Sequence, residues 1–600
     1  MNKKNINIQE NFNLGLQNFK KSNFKDAENF FKEVLNNNPD HLESIFFLGI
    51  LQAKKKDFNK AKDFFIKVTQ IDSSYIDAHY NLGIVFNELK DFQNSINCYE
   101  KAIQIDSNHA DAHNNLGMLF YKLKDFQNSI NCYEKAIQID SNHADAHNNL
   151  GMVFYKLKDF QNSINYYEKA IQIDSNNVHA YNNLGNSLIG LYRTKEAVDY
   201  YKKAIEIDSN YIKAHENLGI AFYKLGEFQK AISCHEKAIQ LDPNNLNSHN
   251  NLGILFHQLG QFQNAKSYFE KAIQIDPNHP DVNFSLGMLL LSMSDFKNGL
   301  IKYEWRKKLP ININKLKNIK GLEWQGENLN NKTILILSEQ GIGDIIQFSR
   351  YIYLIEKEYS ANIIIKTDKK IAHLFSKSKF KLIFNEDNIP KYDFYKHLMS
   401  LPKIYYEKTK TFPSQINFIP KDKKITLKWK ERLNEIKGFK VGINWQGRKT
   451  YGVDHLRSIP LNYFNDLFNI EKINFISLQK GFGLEQIKNF KHKDKLYNFS
   501  KEVDNGENIF EDTIGILQNI DLVISIDSSL VHLSSTLGIK TFALLHFCPD
   551  WRWNLMTKEF SWYDNLKIYR QEEVNKWDSI FSLLKKDLIA SLGNSKHNIN

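Results

Sequence analysis

Apolar and polar positions along residues 1–310 repeat with a period of 34. Each unit contains two stretches in which apolar or small residues recur at i, i+3, i+4 and i+7, the pattern of an amphipathic helix. Glycine falls at one place in every unit, at 15, 49, 83, 117, 151, 185, 219, 253 and 287. Residues 91–118 recur letter for letter at 125–152. In the unit starting at Ile76, Leu82 and Gly83 belong to the first helix, and the glycine lets the second helix approach. Tyr99 and Ala102 lie in that second helix, and Asp106-Ser107-Asn108 closes the unit. Pro39, Pro243 and Pro277 stand at the same junction elsewhere. Past Pro310, read as the end of the last helix, the pattern changes. Strand-length apolar runs occur at 333–337, 361–365, 381–384, 441–445, 473–478, 522–526 and 541–545, separated by helical stretches. Residues 311–331 read as a polar connector and 421–439 as a charged, poorly apolar stretch.

A 34-residue helix-pair period is the tetratricopeptide signature. One unit cannot bury its own apolar face, so an α-solenoid is expected over 8–310, with a superhelical turn and a concave binding surface. The alternating second half predicts two parallel sheets covered on both faces. These form Rossmann-like domains at 332–430 and 438–590, joined to the array by the 311–331 linker. In such sheets ligands sit outside the strand C-termini.

Charge refines this division. Residues 1–310 hold 35 basic and 35 acidic side chains, so the net charge of +11 lies wholly in residues 311–600, with 44 basic against 33 acidic. A basic half favours an anionic partner such as a phosphate, a nucleic acid or an anionic lipid surface, against the plainer reading of a lysine-rich solvated surface. No nucleic-acid motif accompanies it. No apolar run reaches the ~20 residues that span a bilayer, and no signal-peptide core follows Lys3-Lys4. Cys98, Cys132 and Cys234 repeat at one helix position as core residues, Cys548 stands alone, and no C-x-x-C pair suggests a metal. A cytoplasmic protein is the expectation.

Asparagine precedes the repeat glycine by two positions at 13, 81, 115, 149, 183, 217 and 251, with Phe47 and Ser285 as exceptions. Asparagine is a mediocre helix residue, and a column of amides offers donors and acceptors for the backbone of an extended peptide. Asn81, Asn115, Asn149, Asn183, Asn217 and Asn251 are therefore the expected peptide-groove residues. The alternative is a consensus residue copied by duplication. The array resembles that of eukaryotic protein O-GlcNAc transferase, where such a ladder holds acceptor polypeptide.

Several segments of the second half carry candidate chemistry. Gly341-Ile342-Gly343-Asp344 follows a strand but does not complete G-x-G-x-x-G, and no phosphate-loop motif occurs. Asp344 reads as a helix cap or as a general base. Asp527-Ser528-Ser529 ends a buried strand and opens a helix whose N-terminus suits a diphosphate, or is an ordinary cap. His532 follows as a ligand contact or a core histidine. In Trp445-Gln446-Gly447-Arg448 and His455-Leu456-Arg457-Ser458, arginine could pair with phosphate oxygens or with surface carboxylates. Gln479-Lys480 lies just past a strand end. Pro549-Asp550-Trp551-Arg552-Trp553 either stacks a ligand or packs the domain. No D-x-D occurs in 311–600, which disfavours a metal-bridged diphosphate.

Taken in order, E-Q-G-I-G-D-I-I-Q-F-S-R-Y, H-L-R-S-I-P-L, S-L-Q-K-G, I-D-S-S-L-V-H-L and P-D-W-R-W resemble the motif series of bacterial tetratricopeptide proteins with a C-terminal heptosyltransferase-like domain. The resemblance covers 321–580. It implies a GT-B fold and an inverting, metal-independent glycosyltransferase that uses a nucleotide-diphosphate sugar and no other cofactor. By the same resemblance Asp344 is the base and Asp527 to Leu533 holds the donor diphosphate. Arg457 neutralises that diphosphate, Lys480 is placed like the catalytic lysine of O-GlcNAc transferase, and Glu485 is a candidate ribose ligand. The implied donor contacts are Gly341, Gly343, Trp445, His455, Ser458, Gln479, Asp527, Ser528, Ser529 and His532. The acceptor would be a hydroxyl, on a polypeptide held in the repeat groove or on a lipid or glycan; the competing expectation is an inactive adaptor for protein partners.

Overall fold

The computed structural model describes residues 3–595 except 317–318, 385–386, 415, 449–451 and 554–561. The chain divides into two compact units, residues 1–221 and 222–600, and the division falls inside the helix Ile212–Lys224.

The first unit is a stack of antiparallel helix pairs, from Lys3–Lys20 with Phe24–Asn37 to Val178–Gly190 with Thr194–Ile207. The 34-residue period has a steric origin. A Cβ on Gly49, Gly83, Gly151 or Gly185 would lie 2.5–2.7 Å from Phe65, Tyr99, Tyr167 or Tyr201, the aromatic residue sixteen positions on. Only glycine lets the two helices of a pair close over that ring. Ala27, Ala61, Ala102, Ala136, Ala170 and Ala204 are fully buried on the second helix. Each buried ring contributes about 2–3 kcal/mol. Asp57, Asp91, Asp125 and Asp159 accept the N–H three residues on and cap the second helices.

The second unit begins with the remaining repeats, which end at Pro280–Ser292 and Phe296–Tyr303. Pro310 does not end a helix as expected. It opens one, Pro310–Leu316, because a first-turn position needs no N–H donor. Two parallel sheets follow. The first comprises β1 (Leu322–Glu323), β2 (Thr333–Leu337), β3 (Asn362–Lys366), β4 (Lys381–Ile383) and β5 (Phe394–His397), in the order β1-β5-β2-β3-β4. The second comprises β6 (Phe439–Asn444), β7 (Ile473–Ser477), β8 (Leu496–Asn498), β9 (Leu522–Ile526), β10 (Thr541–Leu545) and β11 (Leu566–Arg570), in the order β11-β10-β9-β6-β7-β8.

Two segments differ from their reading as connectors. Residues 311–331 supply the edge strand β1, paired with β5. Residues 421–439 contain the helix Lys423–Leu433, which buries Trp429 and Leu433. Trp429 donates to Asp512 at 2.8 Å, and Gly515 leaves room for its ring. One apolar cluster runs from Leu291, Leu300 and Tyr303 of the last repeat through Ile334 and Ile336 to Trp429, Val523 and Leu533.

Candidate functional site

Strand order reverses between β2 and β5 in the first sheet and between β6 and β9 in the second. The crevice at such a switch point is where open parallel sheets bind ligands. The motifs singled out in the sequence lie at these two places.

At the second switch point, Asn444 ends β6. Its Nδ2 donates to Gln479 at 2.8 Å, and its Oδ1 accepts from Ser525 at 3.2 Å and Ser528 at 3.3 Å. Ser528 caps the helix Ser529–Thr536. Arg457 donates to the Asp527 carbonyl at 2.7 Å and to Asp454 at 3.2 Å, which ties the 453–458 segment to the end of β9. Ser458 Oγ accepts from Gly447 N–H. Burial pushes the Asp527 carboxyl up, against the pull of Arg552 and Arg457.

Several expected donor contacts are occupied internally. Trp445 is fully buried and donates to the Gly483 carbonyl at 3.2 Å, so its ring is core and offers no stacking face. The Gln479 Oε1 accepts from Asn444 and from the Trp445 and Gln446 N–H groups. Its Nε2 donates to the Gln446 and Phe482 carbonyls. Gln479 thus shapes the loop after β6. His532 stacks on Trp553 with centroids 5.2 Å apart and bonds the Tyr563 hydroxyl at 3.0 Å. Burial holds its imidazole well below the usual histidine range, so it is a neutral core side chain. His455 meets Tyr223 of the repeats edge-to-face at 5.0 Å, and burial pushes it down to about 4. Lys480 donates to the Val503 and Asp504 carbonyls, and Glu485 accepts from Gly483 N–H at 2.8 Å.

At the first switch point, β2 passes through Gln340, in the left-handed region at φ +64°, into Gly341 and the helix Ile342–Phe348. Asp344 accepts the Gly341 N–H on Oδ2 at 3.0 Å, satisfying a free donor at the start of the helix. Its Oδ1 pairs with Arg552, whose Nε also holds Asp550 at 2.7 Å and whose Nη1 reaches Gln347 at 3.3 Å. Gly343 faces the other sheet: a Cβ there would lie 3.1 Å from the His532 ring and 3.2 Å from Ser529 Cα. Thus the helix after β2 and the helix after β9 meet at their N-termini, and Asp344, Ser529 and Arg552 share one neighbourhood.

In the first unit the asparagine column forms a ladder between repeats. Asn149 donates to Asn114 Oδ1 at 3.0 Å, Asn183 to Asn148 at 3.1 Å and Asn217 to Asn182 at 2.8 Å. Asn115 donates to the Tyr80 hydroxyl at 3.0 Å, and Asn81 to its own helix at Asp77. Four of the six expected groove amides therefore give a donor to a neighbouring repeat. Asn251 is half-buried on the eighth repeat.

The family model described as "Tetratricopeptide repeat" matches residues 74–142, 108–176, 142–210, 178–244 and 210–278, and a second model of the same description matches 42–75. Residues 42–278 are tetratricopeptide repeats. Protein FlbA of Caulobacter vibrioides is 21% identical over 280 residues, covering 43% of this chain and 47% of FlbA, so the chain spans about half the length of that curated relative. Among solved structures, YrrB, described as a TPR protein with an unusual peptide-binding site, is 24% identical over 31% of this chain and 95% of its own, with a TM-score of 0.27. MamA is 27% identical over 28% of this chain and 92% of its own, with a TM-score of 0.26. A tetratricopeptide array is suited to protein–protein interaction. Among the described residues no helix is long and apolar enough to cross a membrane.

Sequence reasoning missed Asn444, which links three segments of the second switch point, and read Arg552 only as part of an aromatic motif. The signals were faint: a polar residue closing the apolar run of β6, and an Asp-x-Arg spacing that lets Asp550 brace the guanidinium.

Proposed function

We propose that residues 222–600 form a GT-B-type glycosyltransferase that moves a sugar from a nucleotide diphosphate to a hydroxyl acceptor, and that the repeats present a polypeptide carrying that hydroxyl. The observation that carries this reading is the meeting of the two switch points at Gly343 and Ser529, which sets Asp344 beside the helix N-terminus after β9. In the reaction the acceptor oxygen attacks the anomeric carbon as its proton passes to the Asp344 carboxylate. The bond from that carbon to the diphosphate oxygen breaks, and the electron pair leaves with the nucleotide diphosphate. The Arg457 guanidinium and the N–H groups at Ser528-Ser529 stabilise the growing negative charge. Gly341 N–H orients Asp344, and the acceptor hydroxyl shares its Oδ1 with Arg552. Gln479 and Asn444 hold the loop that frames the donor.

A second reading, a non-catalytic tetratricopeptide adaptor, is favoured by one observation: both carboxylate oxygens of Asp344 are already engaged. Purified full-length chain incubated with a panel of radiolabelled nucleotide sugars separates the two. The transferase reading expects release of free nucleotide diphosphate from at least one donor and its loss in Asp344→Asn. No binding or turnover of any donor would favour the adaptor instead, whereas full activity in Asp344→Asn would keep the transferase and remove Asp344 as its base.

A further inference from the structure

The last repeat does more than dock beside the first sheet. Its second helix, Phe296–Tyr303, continues as a 3₁₀ turn over Glu304–Lys308, and two of its side chains reach the loop that leads into Asp344. The Tyr303 hydroxyl bonds the Gln340 side chain, at 3.2 Å to Nε2 and 3.4 Å to Oε1. Arg306, wholly buried, donates to Glu339 from Nη2 at 2.6 Å and from Nε at 3.3 Å. The same guanidinium lies 4.7 Å over the Tyr303 ring and bonds Glu304 and Ser400, each at 2.7 Å. Burial raises the Glu339 carboxyl, but Arg306 and His397 outweigh it and hold it down at about 2.

Glu339 and Gln340 immediately precede Gly341, whose N–H holds Asp344 Oδ2. Gln340 sits at φ +64°, a conformation that costs a side-chain-bearing residue about 1–2 kcal/mol. The Gln340 side chain is held by Tyr303, and Glu339 is held by Arg306 of the last repeat together with His397 at the end of β5, 3.4 Å away.

We infer that Tyr303 and Arg306 are positioning residues of the proposed transferase, by which the final tetratricopeptide repeat fixes the turn that orients Asp344. This rests on the glycosyl-transfer reading. Its consequence is that residues 280–308 are part of the catalytic framework, and that a strain on the last repeat, such as an acceptor chain lying along the array, is transmitted to the base.

The test uses the full chain with Tyr303→Phe, which keeps the ring beneath Arg306 and removes only the hydroxyl. Gln340→Met removes the same bond from the other side. Hydrogen–deuterium exchange should rise in both variants across residues 338–345 and stay unchanged across 522–545. With whichever UDP- or ADP-linked sugar the parent hydrolyses or transfers, kcat should fall about tenfold or more, as expected for a displaced catalytic group, while donor KM stays within about twofold. The double variant should be no slower than either single one, because both remove one bond. Parent-like exchange in 338–345 would overturn the inference, as would parent-like kcat in a chain where Asp344→Asn is inactive. Absence of turnover with every donor would sink the transferase reading instead, and the exchange result alone would then decide whether the array holds the turn.

Discussion

The asparagine ladder gives the most direct measurement on the array, through Asn149→Ala. Asn149 is 7% exposed, and its Nδ2 donates at 3.0 Å to Asn114, 35 residues earlier and also 7% exposed. The contact it receives from Asn148 is 3.5 Å long, too long to add much. Truncation deletes one inter-repeat bond and leaves the Asn114 acceptor without that donor, a loss of about 1–2 kcal/mol. Alanine in place of asparagine in a helix returns about 0.5 kcal/mol. The net destabilisation is therefore about 0.5–1.5 kcal/mol. Because stacked repeats unfold as coupled neighbours, urea unfolding followed by far-UV circular dichroism should show it as an earlier onset of the array transition. In a cycle with Asn114→Ala the two changes should couple by about 0.5–1 kcal/mol. A variant as stable as its parent, with no coupling to Asn114, would refute the ladder as an inter-repeat device.

Two further measurements bear on the α/β half. The Glu339 carboxyl is lowered from 4.5 to about 2 in the folded chain, so its stabilisation is fully present above about pH 4.5 and is lost as pH falls towards 2. That loss is roughly 2 kcal/mol between pH 7 and pH 3; Glu339→Gln should flatten the decline in urea midpoint over that range, and an unchanged decline would refute the assignment. In Gly343→Ala the new methyl meets the His532 ring and Ser529 backbone at 3.1 and 3.2 Å. The helix N-termini must move apart by a few tenths of an ångström at about 1–2 kcal/mol, measured as a lower thermal midpoint with donor turnover reduced; unchanged stability and turnover would show that the close approach is immaterial.

The sequence by itself determined the repeats. Their glycine, aromatic and alanine positions act within one 34-residue unit, so the steric demand of a ring on a glycine sixteen residues away is written locally and copied. The strong strands β2, β3, β6, β9 and β10 were legible for a related reason: a strand buried on both faces must be continuously apolar. β5 was not, because it reads Phe-Tyr-Lys-His, and Lys396 is buried only because Glu323 on the neighbouring strand pairs with it at 3.1 Å. β8 and β11 carry exposed positions and borrow their strand character from a neighbour's ladder. The helix Lys423–Leu433 looked like a solvated connector because only Trp429 and Leu433 are fully buried, with Ile425 partly so.

For the candidate site, the sequence placed Asp344, Asp527 and Ser528 at or just past strand ends and Arg457 beside a loop at the sheet edge, but the tertiary structure decided what each one touches. Asp344 and Arg552 are 208 residues apart, and Arg306 and Glu339 belong to different architectures, a helical repeat and a β–α turn. Such pairs are fixed by folding alone, since a charge removed from water must find whatever partner the fold brings within reach. His532, which read equally well as a ligand contact or as core, and Trp445, expected as a donor contact, both became core for the same reason: burial is a property of the packed neighbours, not of the residue.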